Sequence, residues 1–205
     1  AKKIELKIPN LKDCKCHLGD SPKNDKEAQL IENSTIFLTE GQSASGSMVS
    51  CRDVYTQAIF SLRGKVQNMH GRKRAEIYQN EELYNLMSAL GIENTIEGLR
   101  YNRIVLATDA DNDGFHIRNL LLTFFLTYFE DLVVNGHIYI LETPLFRVRN
   151  KQVTTYAYSE KERDQAIRQI KGAEVTRFKG LGEINPSEFG QFIGPDIRLV
   201  PVDVK

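Results

Sequence analysis

The apolar residues of this chain fall in short dense runs, each closed by a polar or glycine-containing stretch. Residues 35–39, 58–62, 103–108 and 138–141 are such runs, rich in β-branched and aromatic side chains, and they predict strands. Between them the spacing changes. Leu83, Leu86, Met87 and Leu90 recur at helical intervals and stop at Gly91. Residues 117–134 predict a longer helix, apolar on most sides, that ends at Asn135-Gly136. The small residues 41–47 form a turn that opens another helix. Strands alternating with helices predict an α/β fold, a parallel sheet flanked by helices.

After Pro144 the pattern shortens. Residues 145–149 and 152–158 read as a hairpin across Asn150-Lys151. A charged helix follows over 159–171, with Ser159 as its N-cap. Then come a strand over 174–178, a glycine turn at Lys179-Gly180-Leu181-Gly182 and a short helix near Pro186. The expected organisation is a polar lead-in segment (1–33), a central α/β unit (34–145) and a small α+β tail (146–205).

Composition narrows the function. The chain has 27 basic and 27 acidic residues, so its formal net charge is zero. A free-standing, non-specific nucleic-acid binder needs a basic balance. A local basic patch that works beside other subunits is still compatible. The longest apolar stretch, residues 120–128, is interrupted by threonine and reads as a buried helix. Ala1-Lys2-Lys3-Ile4-Glu5 has no apolar segment behind its lysines, so no signal peptide is expected. Three cysteines are too few for a disulfide framework and point to a reducing cytoplasm. Cys14-Lys15-Cys16-His17 spells half a zinc site, but no second Cys/His cluster completes it.

The candidate chemistry sits at two strand ends. Asp109, Asp111 and Asp113 alternate between the third strand and a glycine turn. Carboxylates packed so closely repel one another unless a cation or a proton intervenes. An oxygen-only set with few ligands suits Mg²⁺. An EF-hand loop needs a Glu at its twelfth position and a preceding helix. Here the twelfth residue is Leu120 and a strand precedes. A haloacid-dehalogenase-type phosphotransferase wants Thr or Val where this chain has Asp113. Glu40 ends the first strand, and ligands of parallel sheets collect at carboxyl ends. The fold can therefore bring Glu40 to Asp109. Gly41 and the small residues after it let backbone approach a ligand closely.

Several longer motifs resemble one family. Residues 40–47 resemble the E-G-D-S-A-G-G-S motif of the B subunits of bacterial type IIA DNA topoisomerases. Residues 62–65 with Asn68 resemble their P-L-[KR]-G-K-x-x-N. Residues 108–118 resemble T-D-A-D-x-D-G-x-H-I-R, and residues 177–186 resemble R-[YF]-K-G-L-G-E-M-N-P. The resemblance runs in order from about residue 11 to the C-terminus. It implies a TOPRIM fold with a C-terminal tail, and only part of a subunit, inactive alone. Gln42 stands where the family has Asp, and Ser45 replaces a Gly. The spellings at 52–54 and 189–196 are nearer to topoisomerase IV than to gyrase.

The implied reaction is cleavage, passage and resealing of double-stranded DNA. The nucleophilic tyrosine lies on a partner A subunit, and ATP is bound in a region this chain lacks. By this resemblance Glu40, Asp109 and Asp111 ligate Mg²⁺, with Asp113 as a supporting carboxylate. Glu40 is also the candidate to move a proton at the 3′ oxygen. Arg63, Lys65, Asn68, His116 and Lys179 are the candidate DNA contacts. The resemblance also implies that the loop with Gln42 and the turn with Lys65 flank the site where quinolone-type poisons act. Arg72-Lys73-Arg74 reads as a solvated loop. The rival readings are a gyrase B subunit, a metal-stabilised docking module for the A subunit, and another TOPRIM enzyme such as a primase, which would need a zinc-binding set.

Overall fold

The computed structural model describes residues 7–63, 66–109 and 112–204, excepting the side chains of 42, 43 and 112–115. The predicted strands are present as β2 (Thr35–Glu40), β3 (Gln57–Leu62), β4 (Arg103–Ala107) and β5 (Ile138–Glu142), all parallel. Two short antiparallel strands extend this sheet. β1 (Leu11–Lys12) pairs with β3, and β9 (Arg198–Pro201) pairs with β5. The order across the sheet is β1-β3-β2-β4-β5-β9.

Both faces of the sheet are covered, so its central strands are apolar at nearly every position. Successive side chains point to opposite faces. Ile36, Leu38, Ala58, Phe60, Ile104 and Leu106 enter one core with Leu83, Leu86, Leu121 and Phe124. Phe37, Ile59, Val105 and Ala107 enter the other with Met48, Leu181, Phe189 and Phe192. The first core lies under α3 (Glu81–Leu90), α4 (Asn112–Tyr128) and α5 (Glu130–Val134). The second lies under α2 (Gln42–Cys51) and α7 (Pro186–Ile193).

The helix expected over 117–134 is two helices. Phe129 leaves helical geometry (φ −138°, ψ 48°) and packs edge-on to Phe124 at 5.6 Å. Arg74 caps the break. Its Nη2 donates to the Tyr128 carbonyl at 2.7 Å, and its guanidinium lies 5.1 Å from the Phe129 ring centre. The segment read as a solvated loop therefore ends in a pinned arginine that starts a 3₁₀ turn (Arg74–Gln79).

The lead-in segment carries more structure than its polarity suggests. It holds β1 and α1 (Asp25–Glu32), whose cap Asn24 accepts from the Glu27 N–H at 2.9 Å. Cys14 and His17 are buried. At the other end, β6 (Phe146–Arg149) and β7 (Thr154–Ala157) form the predicted hairpin, and β8 (Glu174–Arg177) pairs with the free edge of β6. Val148 packs there with Ala166 of α6 (Glu160–Gln169) and with Ile170 at that helix's end. The N-cap of α6, Ser159, accepts from the Glu162 N–H as expected. Among the described residues no helix is long and apolar enough to cross a membrane.

Candidate metal centre

β2 and β4 are hydrogen-bonded neighbours with Thr39 beside Ala107, so Glu40 and Asp109 emerge at adjacent carboxyl ends. That juxtaposition follows from parallel pairing, which puts every strand end that feeds a helix on the same edge. Gly41 makes the first turn possible. Its φ of 70° with ψ of −179° is a conformation that side-chain-bearing residues rarely adopt. Its N–H donates to the Leu62 carbonyl of β3 at 3.1 Å, which ties the Glu40 turn to the strand leading to Arg63.

Glu40 Oε2 is shut away from solvent. Asp109 is half-buried, and its Oδ1 accepts from the Leu181 N–H at 2.8 Å. Carboxylates at adjacent strand ends offer hard oxygen donors of the kind that suits Mg²⁺. Asp111 lies outside the described residues. Asp113 falls in the first turn of α4, and its side chain is likewise outside them.

The candidate DNA contacts divide. Arg63 directly follows β3 with an exposed side chain, while its backbone N–H donates to Glu82 Oε2 on α3 at 3.3 Å. Lys65 and the side chain of Gln42 lie outside the described residues. Asn68 is exposed, and its Oδ1 accepts from the His70 N–H at 3.0 Å, so it shapes a turn. His116 is exposed on α4. Lys179 is exposed, and its N–H donates to Glu183 Oε2 at 2.7 Å. At Gly180 and Leu181 the backbone of the Lys179–Gly182 turn faces the Asp109 carboxylate.

Two departures from the family motifs meet in space. The hydroxyl of Ser45, on α2, is hydrogen-bonded to that of Ser61 on β3, and both residues are buried. Ser45 stands where the family pattern has Gly, and Ser61 where it has the Pro of P-L-[KR]-G-K. Each hydroxyl satisfies the other, so neither is an unpaired polar group in the core.

The half zinc site has another use. Asp13, Cys14 and His17 bring ligand-type atoms within 4.8 Å of one another. Arg100 already occupies the place of a cation: it pairs with Asp13 Oδ2, and its Nη2 lies 3.0 Å from His17 Nε2. Burial pushes the Cys14 thiol up to about 12, so the thiolate a metal needs is disfavoured. The cluster is a polar network that staples the lead-in segment to residues 100–101. A cleft of about 920 Å³, lined by Thr35, Gln57 and Arg103 among others, opens at the amino ends of the strands, opposite the carboxylates.

Residues 35–143 match the family model of the Toprim domain, more than half of the chain. The chain belongs to the Toprim family. This Toprim chain is 68% identical over 206 residues to the B subunit of DNA topoisomerase 4 from Borreliella burgdorferi, covering 100% of this chain and 33% of that one. It is 39% identical over 185 residues to the B subunit of DNA gyrase from Archaeoglobus fulgidus, covering 88% and 28% respectively. It spans about a third or less of the length of these curated relatives. Its Toprim fold also matches the DNA-binding, cleavage and re-ligation domain of Plasmodium falciparum topoisomerase II, with a TM-score of 0.75 and 24% identity, over 94% of this chain and 27% of that one.

The Leu181 N–H was absent from the sequence-based site. Its partner, Asp109, lies 72 residues away, beyond the reach of any local pattern.

Proposed function

We propose that this chain is the Mg²⁺-binding, DNA-cleaving and religating part of a type IIA topoisomerase B subunit, of the topoisomerase IV kind. The observation that carries this reading is the placement of Glu40 and Asp109 at adjacent carboxyl ends of parallel strands, inside a matched Toprim region. The topoisomerase IV assignment is supported by 68% identity to such a subunit, against 39% to a gyrase one. In this reading residues 34–145 form the metal-binding unit, 1–33 lead into it and 146–205 form the tail.

Glu40, Asp109 and Asp111 bind the cation, and Asp113 supports them. When bound, Mg²⁺ neutralises phosphate charge and stabilises the expelled 3′ oxygen, a contribution of several kcal/mol. Glu40 holds or returns the proton at that oxygen, since a carboxylate that turns away from water is suited to proton transfer. Arg63, Lys65, Asn68, His116 and Lys179 face the DNA backbone, and Gln42 with Lys65 borders the drug-site loop. The A subunit of a heterotetramer in the bacterial cytoplasm supplies the tyrosine, and ATP acts in a region outside this chain.

The test is plasmid cleavage by the complete enzyme. Asp109→Ala or Asp111→Ala is expected to lower it by about a hundredfold or more, as the loss of several kcal/mol of charge stabilisation requires. Cleavage that stays within about twofold of wild type would remove these residues from the metal centre.

A further inference from the structure

We infer that the Lys179–Gly182 turn of the tail positions Asp109 for the cation, an inference that rests on the metal-centre reading above. Two consecutive residues act on one carboxylate. The Leu181 N–H donates to Asp109 Oδ1 at 2.8 Å. Gly180 lies so close that a Cβ there would meet Asp109 Oδ2 at 3.2 Å and both Cγ and Oδ1 at 3.3 Å. One residue supplies the hydrogen bond and the other supplies the room, so the carboxylate plane is held in one orientation.

The turn is itself held from two sides. Lys179 N–H donates to Glu183 Oε2 at 2.7 Å, and the N–H groups of Glu183 and Ile184 donate to the carbonyls of Gly180 and Leu181, each at 3.2 Å. Leu181 and Ile184 are buried with Ala44 and Met48 of α2, the helix that begins two residues after Glu40. One short turn therefore leans on the helix behind the first carboxylate and binds the second. A backbone N–H suits this task because it orients a ligand without cancelling the negative charge the cation needs. An arginine or lysine in its place would compete with the metal. Partners that orient metal ligands in this way are worth about 10–100-fold in metal affinity.

The test is binding of Mn²⁺, a paramagnetic stand-in for Mg²⁺, to the full chain, followed by electron paramagnetic resonance. Replacing Leu181 with its α-hydroxy acid by semisynthesis removes the N–H and keeps the side chain. Gly180→Ala crowds the carboxylate. Each is expected to weaken Mn²⁺ binding by about tenfold with the number of ions bound at saturation unchanged. Asp109→Ala, run beside them, separates the two levels of the argument. Lost binding in Asp109→Ala, with wild-type affinity in both turn variants, overturns the positioning role and leaves the metal centre standing. Ions lost at saturation in the α-hydroxy acid variant also overturn it, because that reports general damage. Wild-type binding in Asp109→Ala overturns the metal centre and the positioning role with it.

Discussion

Asp13 illustrates how much one side chain does in this fold. Its carboxylate receives the Tyr101 hydroxyl at 2.5 Å, contacts His17 Nε2 at 2.8 Å and pairs with Arg100. Burial pushes its pKa up, but these hydrogen bonds and the Arg100 charge outweigh burial and hold it well below the usual carboxylate range. Asp13→Asn is expected to cost about 3 kcal/mol at pH 7, because it leaves the Arg100 charge without its carboxylate. The sign with pH follows from linkage. A depressed folded pKa stabilises fully above the unfolded value of about 4, and the gain disappears as pH falls through the folded one. The stability gap between wild type and variant should be flat from pH 7 to about pH 4 and narrow below it. Urea titrations at several pH values measure the gap, and a gap unchanged down to the acid limit contradicts the ion-pair account. The sequence marks Asp13 only as a neighbour of Cys14. Its decisive partners are 87 and 88 residues away.

At the scale of elements, the tail enters the main sheet through β9, and α7 ties its three-stranded sheet to the main one. Glu188 on that helix accepts from Arg147 Nη1 on β6 at 2.6 Å and from the Tyr156 hydroxyl on β7 at 2.7 Å. Burial first, then the bond to Glu188, pushes the Tyr156 phenol up to about 12. The Phe192 ring of α7 packs against Tyr156 with centroids 4.8 Å apart. Glu188→Ala strands the guanidinium of Arg147 and is expected to cost about 3 kcal/mol. It should also speed amide hydrogen exchange in α7 and in the 179–185 turn before the rest of the sheet. Uniform exchange throughout would show that α7 opens only with the whole molecule. Periodicity predicted β2 to β5, α3 and the hairpin because their patterns are local. It ran α4 and α5 together because Arg74, which caps the break, is 54 residues away from the carbonyl it binds. β9 escaped notice because a four-residue edge strand carries almost no pattern of its own.

At the scale of the molecule, the proposed function asks a chain of zero net charge to approach a polyanion through a local patch. Arg63 and Lys65 flank Gly64 just beyond β3, whose end is tied to the Glu40 turn. In the assembled enzyme, replacing both with Ala is expected to lower the slope of log affinity against log salt by about 1.8, or about 0.9 for each phosphate no longer neutralised. An unchanged slope would place the DNA elsewhere. The sequence by itself determined the alternation of strands and helices, the acidic strand ends and the family motifs. Each of these is written in residues a few positions apart, where periodicity and turn chemistry operate. Only the tertiary structure decided what those motifs touch. It brought Glu40 beside Asp109, joined Ser45 to Ser61, filled the half zinc site with Arg100 and aimed the Leu181 N–H at Asp109. Such pairings depend on strand order and on the depth at which helices settle, which follow from burying two apolar faces at once and leave no trace at any one position.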